Sequence, residues 1–127
     1  RLSDHPGLYE AASRGAPVVG VYVRDEQSRA LKPPASRPLG GATRWWLAQS
    51  LRALRSRLEA IGGTLVLRTG PAAAVIATLA REINAGTVFW NGIAQAPHQA
   101  VAADVEAALA RDGVTSEIFS GDLLVEP

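Results

Sequence analysis

Few side chains in this sequence could do covalent chemistry, and their spacing argues against it. The 127 residues contain no cysteine and two histidines, so disulfides, thiolate metal sites and a cysteine nucleophile are excluded. His5 and His98 stand far apart without the H-E-x-x-H pairing that places two imidazoles on one helical face, and ordinary surface or capping roles are expected for both. Ser50 lies within a helical pattern and lacks the sharp strand-to-helix turn that exposes a nucleophilic hydroxyl, so a packing or solvent role is expected. No G-x-G-x-x-G follows a strand-like run and no Walker glycine loop is present. The sequence therefore predicts no catalytic residue and no metal site in this chain. Arg52, Arg55 and Arg57 could touch phosphate, but a solvated helix surface accounts for them. Trp45, Trp46 and Trp90 invite an electron-transfer role, yet packing in a core or at a domain interface is the better expectation. At about 25 cal/mol per Å², an aromatic side chain burying about 150–250 Å² contributes several kcal/mol.

The elements that position these residues can be read from periodicity. Gly40–Leu54 (GGATRWWLAQSLRAL) opens a long helix, with Thr43 available to cap free N–H groups. Trp46, Leu47, Leu51, Leu54, Leu58 and Ile61 are expected on one apolar stripe, and Gly62 with Gly63 closes the helix. Upstream, Ser3 or Asp4 is expected to cap a short helix with Pro6 in its first turn, ending at Gly15. Pro17–Val23 (PVVGVYV), Thr64–Arg68 (TLVLR) and Thr87–Trp90 (TVFW) read as buried strands, and a last strand falls near Ser116–Phe119. A helix with Val75, Ile76, Leu79, Ala80 and Ile83 on one face follows the second strand. Another, opened by Pro97, points Val101, Val105, Ala108 and Leu109 inward. Residues 24–42, with three prolines, form a long loop of the kind that often carries function.

Strands alternating with helices predict an α/β fold, a Rossmann-like three-layer sandwich in which a parallel sheet carries helices on both faces. In such sheets ligands settle beyond the carboxyl ends of the strands. Here those ends are Tyr22–Asp25, Arg68–Gly70 and Asn91–Gln95. Hydrophobic residues make up 47% of the chain and the formal net charge is +1, which fits one domain with a real core and makes no broad electrostatic case for nucleic-acid binding. No run is long enough to span a membrane and no signal peptide opens the chain, so a cytoplasmic location is expected.

Several segments together carry a resemblance. Gly40 and Gly41, Arg44, Trp45, Trp46, Leu47, Ser50, Leu51 and Leu54 are similar to the first long helix of the amino-terminal domain of DNA photolyases and cryptochromes. Arg1–Pro6 (RLSDHP), Val21–Asp25 (VYVRD), Leu65–Gly70 (LVLRTG), Val88–Asn91 (VFWN) and Leu123–Pro127 (LLVEP) extend the likeness through residues 1–127. The resemblance implies a strand order of 3-2-1-4-5 whose first, central strand precedes Arg1, and an FAD-binding helical domain after Pro127. The chain starts without methionine, and both parts are expected to lie outside it. The strands flanking the missing one are expected either to pair directly or to receive a strand from a neighbouring chain, so self-association of the fragment is anticipated.

The resemblance further implies a blue-light, FAD-dependent deoxyribodipyrimidine photolyase that splits cyclobutane pyrimidine dimers. This part would be a non-catalytic scaffold that meets damaged DNA only through the helical domain. In the family the crevice at the strand ends can hold an antenna, a folate, a deazaflavin or a flavin, which makes Tyr22, Arg24, Asp25, Arg44, Asn91 and Ile93 antenna candidates by position. Where family members commonly carry orienting polar groups after the asparagine, this chain has Gly92, Ile93, Ala94, Gln95 and Ala96, so only weak binding of a flavin or deazaflavin is expected. A cryptochrome photoreceptor without repair activity is the alternative. A stand-alone Rossmann-like nucleotide-binding or signalling module is a second one, and it would want the glycine-rich phosphate loop that is missing here.

Overall fold

The computed structural model describes residues 2–28 and 40–120. Most of the 24–42 loop and the Leu123–Pro127 segment therefore lie outside the described residues. In chain order the elements are α1 (Pro6–Ser13), β1 (Val19–Arg24), α2 (Gly41–Ala60), β2 (Thr64–Thr69), α3 (Ala72–Glu82), β3 (Thr87–Asn91), α4 (Ala96–Arg111) and β4 (Thr115–Phe119). Alternation of strand and helix is as expected, and all strand pairing is parallel. β1 pairs with β2 from Val19↔Thr64 to Arg24↔Thr69, and β3 pairs with β4 from Thr87↔Thr115 to Asn91↔Phe119.

Direct pairing of the strands on either side of the expected central position does not occur. Among the described residues no ladder joins β1 to β3, and the strands form two separate two-stranded sheets. Both sheets nevertheless lie under one helical layer. Val23 of β1 and Val88 and Trp90 of β3 pack against the same cluster of Ala72 and Ala80 from α3 and Val105 and Leu109 from α4. Side chains alternate across a strand, so the residues between these point the other way. On β1 that opposite face meets α2, with Gly20 close to Leu58. On the β3–β4 sheet it meets α1, where Arg14 sits 4.9 Å from the centre of the Phe89 ring and binds Glu117 at 2.6 Å. The result is three layers, α1 and α2 below, the two sheets between, α3 and α4 above.

Three local expectations are corrected. The α1 cap is His5, whose Nδ1 accepts from Leu8 N–H at 3.0 Å, in place of Ser3 or Asp4. Helix α2 begins with Gly40 as its capping residue and no side-chain cap, which puts Thr43 already inside the first turn. The apolar stripe of α2 is narrower and shorter than its hydrophobic residues suggested: Trp46 is 66% exposed, and Ile61, the C-cap after the helix ends at Ala60, is 73% exposed. A helix turns 100° per residue, and the face defined by Leu47, Leu51, Leu54 and Leu58 leaves Trp46 on the flank. Ile83 is likewise exposed at the end of α3. The strands expected to be buried are covered only in part: β1 and β3 are half-buried along their whole length and β2 fully buries Leu65 alone, and among the described residues each strand has a partner on one edge only.

Candidate functional site

The carboxyl ends of β1 and β2, together with the first half of α2, form a groove of about 190 Å³. Alternation along β1 turns Tyr22 and Arg24 toward α2, and their register partners Leu67 and Thr69 continue the floor onto β2. Helix α2 closes the other wall with Arg44, Leu47 and Leu51. Aliphatic and aromatic carbon thus lines the interior, and Arg24 and Arg44 stand beside it, whereas Arg68, the register partner of Val23, turns its side chain to the opposite face. Glu26 Oε1 is shared by Arg24 at 3.0 Å and Arg44 at 3.6 Å. Arg68 reaches Glu82 at 3.8 Å. The groove is cationic at its mouth and apolar within.

One polar atom here lacks a protein partner: Arg24 Nε is buried and makes no hydrogen bond. A buried donor of this kind costs about 1–3 kcal/mol when unsatisfied, so the groove favours a ligand that presents an acceptor. The volume is below the roughly 300–1,000 Å³ of pockets that enclose a drug-sized molecule.

Of the six residues singled out by position, Tyr22, Arg24 and Arg44 come together in this groove. Asp25 does not contribute to it. Its carboxylate accepts from Gln27 N–H at 3.0 Å and Ser28 N–H at 2.8 Å, from the Ser28 hydroxyl, and from Ala72 N–H at 2.9 Å. Partial burial pushes this carboxyl up, but the hydrogen bonds from Ser28, Ala72 and Gln27 outweigh it and hold it below its ordinary value. Ala72 is the first residue of α3, whose cap is Pro71 with no side-chain acceptor. Asp25 thus caps a helix that begins 47 residues later, and ties the end of β1 to the layer above it.

Asn91 and Ile93 lie elsewhere. Asn91 Oδ1 is buried without a partner at the end of β3, where a Cβ added to Gly7 of α1 would meet it at 3.4 Å. Ile93 is 43% exposed. Leu47, Leu51 and Leu67 were not expected in the groove, whereas Arg68 and Thr69 belong to the Arg68–Gly70 strand end named from the sequence. The strand register would have supplied Leu67, since Tyr22 faces the same way as its partner. Among the described residues no group of three His, Asp or Glu side chains is placed to hold a metal ion, and no helix is long and apolar enough to cross a membrane.

Comparison with known proteins gives a consistent picture. The DNA photolyase family model matches residues 1–127. A deoxyribodipyrimidine photo-lyase of Agrobacterium fabrum is 42% identical over 127 residues, covering 100% of this chain and 25% of its own length. The crystal structure of a bacterial class III photolyase from Agrobacterium tumefaciens superposes with a TM-score of 0.85 at 42% identity, over 100% of this chain and 25% of the other. A Synechocystis cryptochrome superposes with a TM-score of 0.86 at 26% identity, over 98% of this chain and 26% of the other. The chain spans about a quarter of the length of these relatives.

Proposed function

The chain belongs to the DNA photolyase family, and from that premise we propose that it is the amino-terminal α/β domain of a deoxyribodipyrimidine photolyase. The parent polypeptide uses FAD and blue light to split cyclobutane pyrimidine dimers in DNA by electron transfer, and works in the cytoplasm. The FAD and the damaged DNA are held by a helical domain beyond Pro127, and this part contributes scaffold. The free edges of β1 and β3 beneath one helical layer support a strand order in which one further parallel strand lies between them. The observation that carries the repair reading is the 42% identity to a photo-lyase across the whole chain, against 31% to a cryptochrome DASH of Gloeobacter violaceus over the same 127 residues.

The groove between α2 and the β1–β2 sheet is the antenna site in this reading. Tyr22, Leu47, Leu51 and Leu67 offer a surface for a ring, and Arg24 and Arg44 hold an anionic arm. When bound, such a chromophore supplies absorbed light energy to the flavin. The residues themselves bind, orient and partly shield it. Asn91 and Ile93 do not line this groove, and Asp25 acts indirectly by fixing the end of β1.

The test uses the full-length parent. A duplex oligonucleotide carrying one cyclobutane thymine dimer is incubated with the purified, FAD-containing protein in blue light and in darkness. Light-dependent restoration of the intact thymines is expected. An FAD-loaded parent that leaves the dimer untouched in light would favour the photoreceptor alternative. For the groove, fluorescence titration with flavin mononucleotide should give weak, Arg44-dependent binding, and binding unaltered by Arg44→Ala would remove the assignment.

A further inference from the structure

Helix α2 presents two chemistries on different faces. Its leucines turn toward the sheet, whereas Trp45 is 58% and Trp46 66% exposed, their rings in edge contact with centroids 5.3 Å apart and planes at 82°. Trp45 and Arg52 lie seven residues apart and so share the face turned away from the leucines. Exposed aromatic surface of this size is unfavourable in a protein that stands alone, and contiguous apolar patches mark interaction sites. Tryptophan and arginine are the side chains that most often anchor interfaces. Arg52 and Arg57 are exposed, and neither has an ion pair among the described residues. The helix has Glu59 as its one acidic residue.

We infer that the Trp45–Trp46 end of α2, flanked by Arg52, is the surface on which the remainder of the parent polypeptide docks. This rests on the reading above that the chain is one part of a longer flavoprotein. The relatives continue for about three times the length matched here, so a covering partner is available in the same molecule. The chemistry asked of it is an apolar recess for the two indoles with carboxylates at its edge for the arginines. A second copy of this chain fits poorly, because a two-fold contact through this face would set Arg52 and Arg57 against the same residues. Nucleic acid is also a poorer fit, since the chain as a whole carries a net charge of only +1.

Hydroxyl-radical footprinting of the flavin-bound, full-length parent tests this. Oxidation of Trp45 and Trp46 is measured by mass spectrometry against the same protein unfolded in urea. Docking predicts about ten-fold less oxidation or better in the folded parent, independent of concentration and of added DNA, as for the packed centre of an interface. Oxidation near the unfolded level would overturn the proposal. So would protection that appears only at high protein concentration, which would indicate a second copy, or only with DNA present. A W45S/W46S parent should retain FAD but melt in two separated steps where the wild type melts in one. A parent that binds no flavin would instead defeat the functional reading, and a flavin-bound parent with freely oxidised tryptophans would defeat only the docking surface.

Discussion

The two sides of the sheet layer are built differently although both are helical. Above it, α3 has 11 residues and buries Ala72, Ala77, Leu79 and Ala80, while α4 buries Val105 and Leu109, the latter at 0% exposure. Below it, α2 is the longest helix at 20 residues and buries Leu58 alone. A helix that long, with so little of itself covered, spends most of its surface on something other than closing the core. Its inner face walls a groove, its first turns expose two tryptophans, and its arginines outnumber its acids. The α3–α4 side buries most of the core, and the α2 side carries the groove and the exposed tryptophans on which the two proposals rest. A family whose members place this domain in a polypeptide about four times as long gives that asymmetry a reason.

Substitutions on the two sides should therefore separate sharply. Leu109→Ala removes the most enclosed side chain and is expected to cost about 2–5 kcal/mol, read from denaturant unfolding of the chain. A loss under about 1 kcal/mol would mean that the α3–α4 layer is not the organising core. Gly70→Ala comes next. Gly70 links β2 to α3 at φ +137°, and an added Cβ would lie 3.0 Å from Val75 Cγ2, so a loss of about 1–3 kcal/mol is expected from backbone strain and crowding. Normal stability here would show that the β2–α3 junction relaxes freely.

Asp25→Asn joins the two sides, because this carboxylate fastens the end of β1 to the start of α3. Losing a charged cap is expected to cost about 0.5–2 kcal/mol. Its folded pKa lies below the ordinary 3.8, so the stabilisation is complete above that value and is lost as pH falls through the lower folded one. Unfolding titrations should show wild-type stability declining below about pH 4 and a shallower decline in the variant. Identical slopes would mean that Asp25 is not the group responsible. The smallest effect is expected for Trp45→Ser, within about 0.5 kcal/mol for this chain. A large loss would place Trp45 in the fold and not at a docking face.

The alternation of elements was legible because strand and helix differ in hydrophobic period, and Val105 and Leu109 were legible because they recur at helical spacing on a helix covered by others. Trp46 shows where that logic stops. Periodicity reports which residues are apolar on a helix, but how wide a stripe is covered depends on the size of the surface beneath it. The half-buried state of β1 and β3 was hidden for a related reason, since an unbroken run of β-branched residues looks the same whether one edge or two edges find partners. In the candidate site, Tyr22 and Arg24 could be placed by the rule that ligands gather at strand ends, and Arg44 by the family resemblance of α2. Asp25 satisfied the same rule and does something else, because its contact with Ala72 spans 47 residues and no local pattern announces it. Leu67 required the register of β1 on β2, which depends on how the two strands are brought together.

Residue-by-residue amide exchange in this chain tests most directly the claim that one side holds the fold while the other is left for partners. Residues with slow exchange open only with the global unfolding of the core. The slowest amides are expected in α3 and α4, around Ala80, Val105 and Leu109, and in β3 around Val88 and Trp90. The first three turns of α2, through Leu51, should exchange well before them. Protection of α2 from Trp45 to Leu51 equal to that of Leu109 would contradict the account.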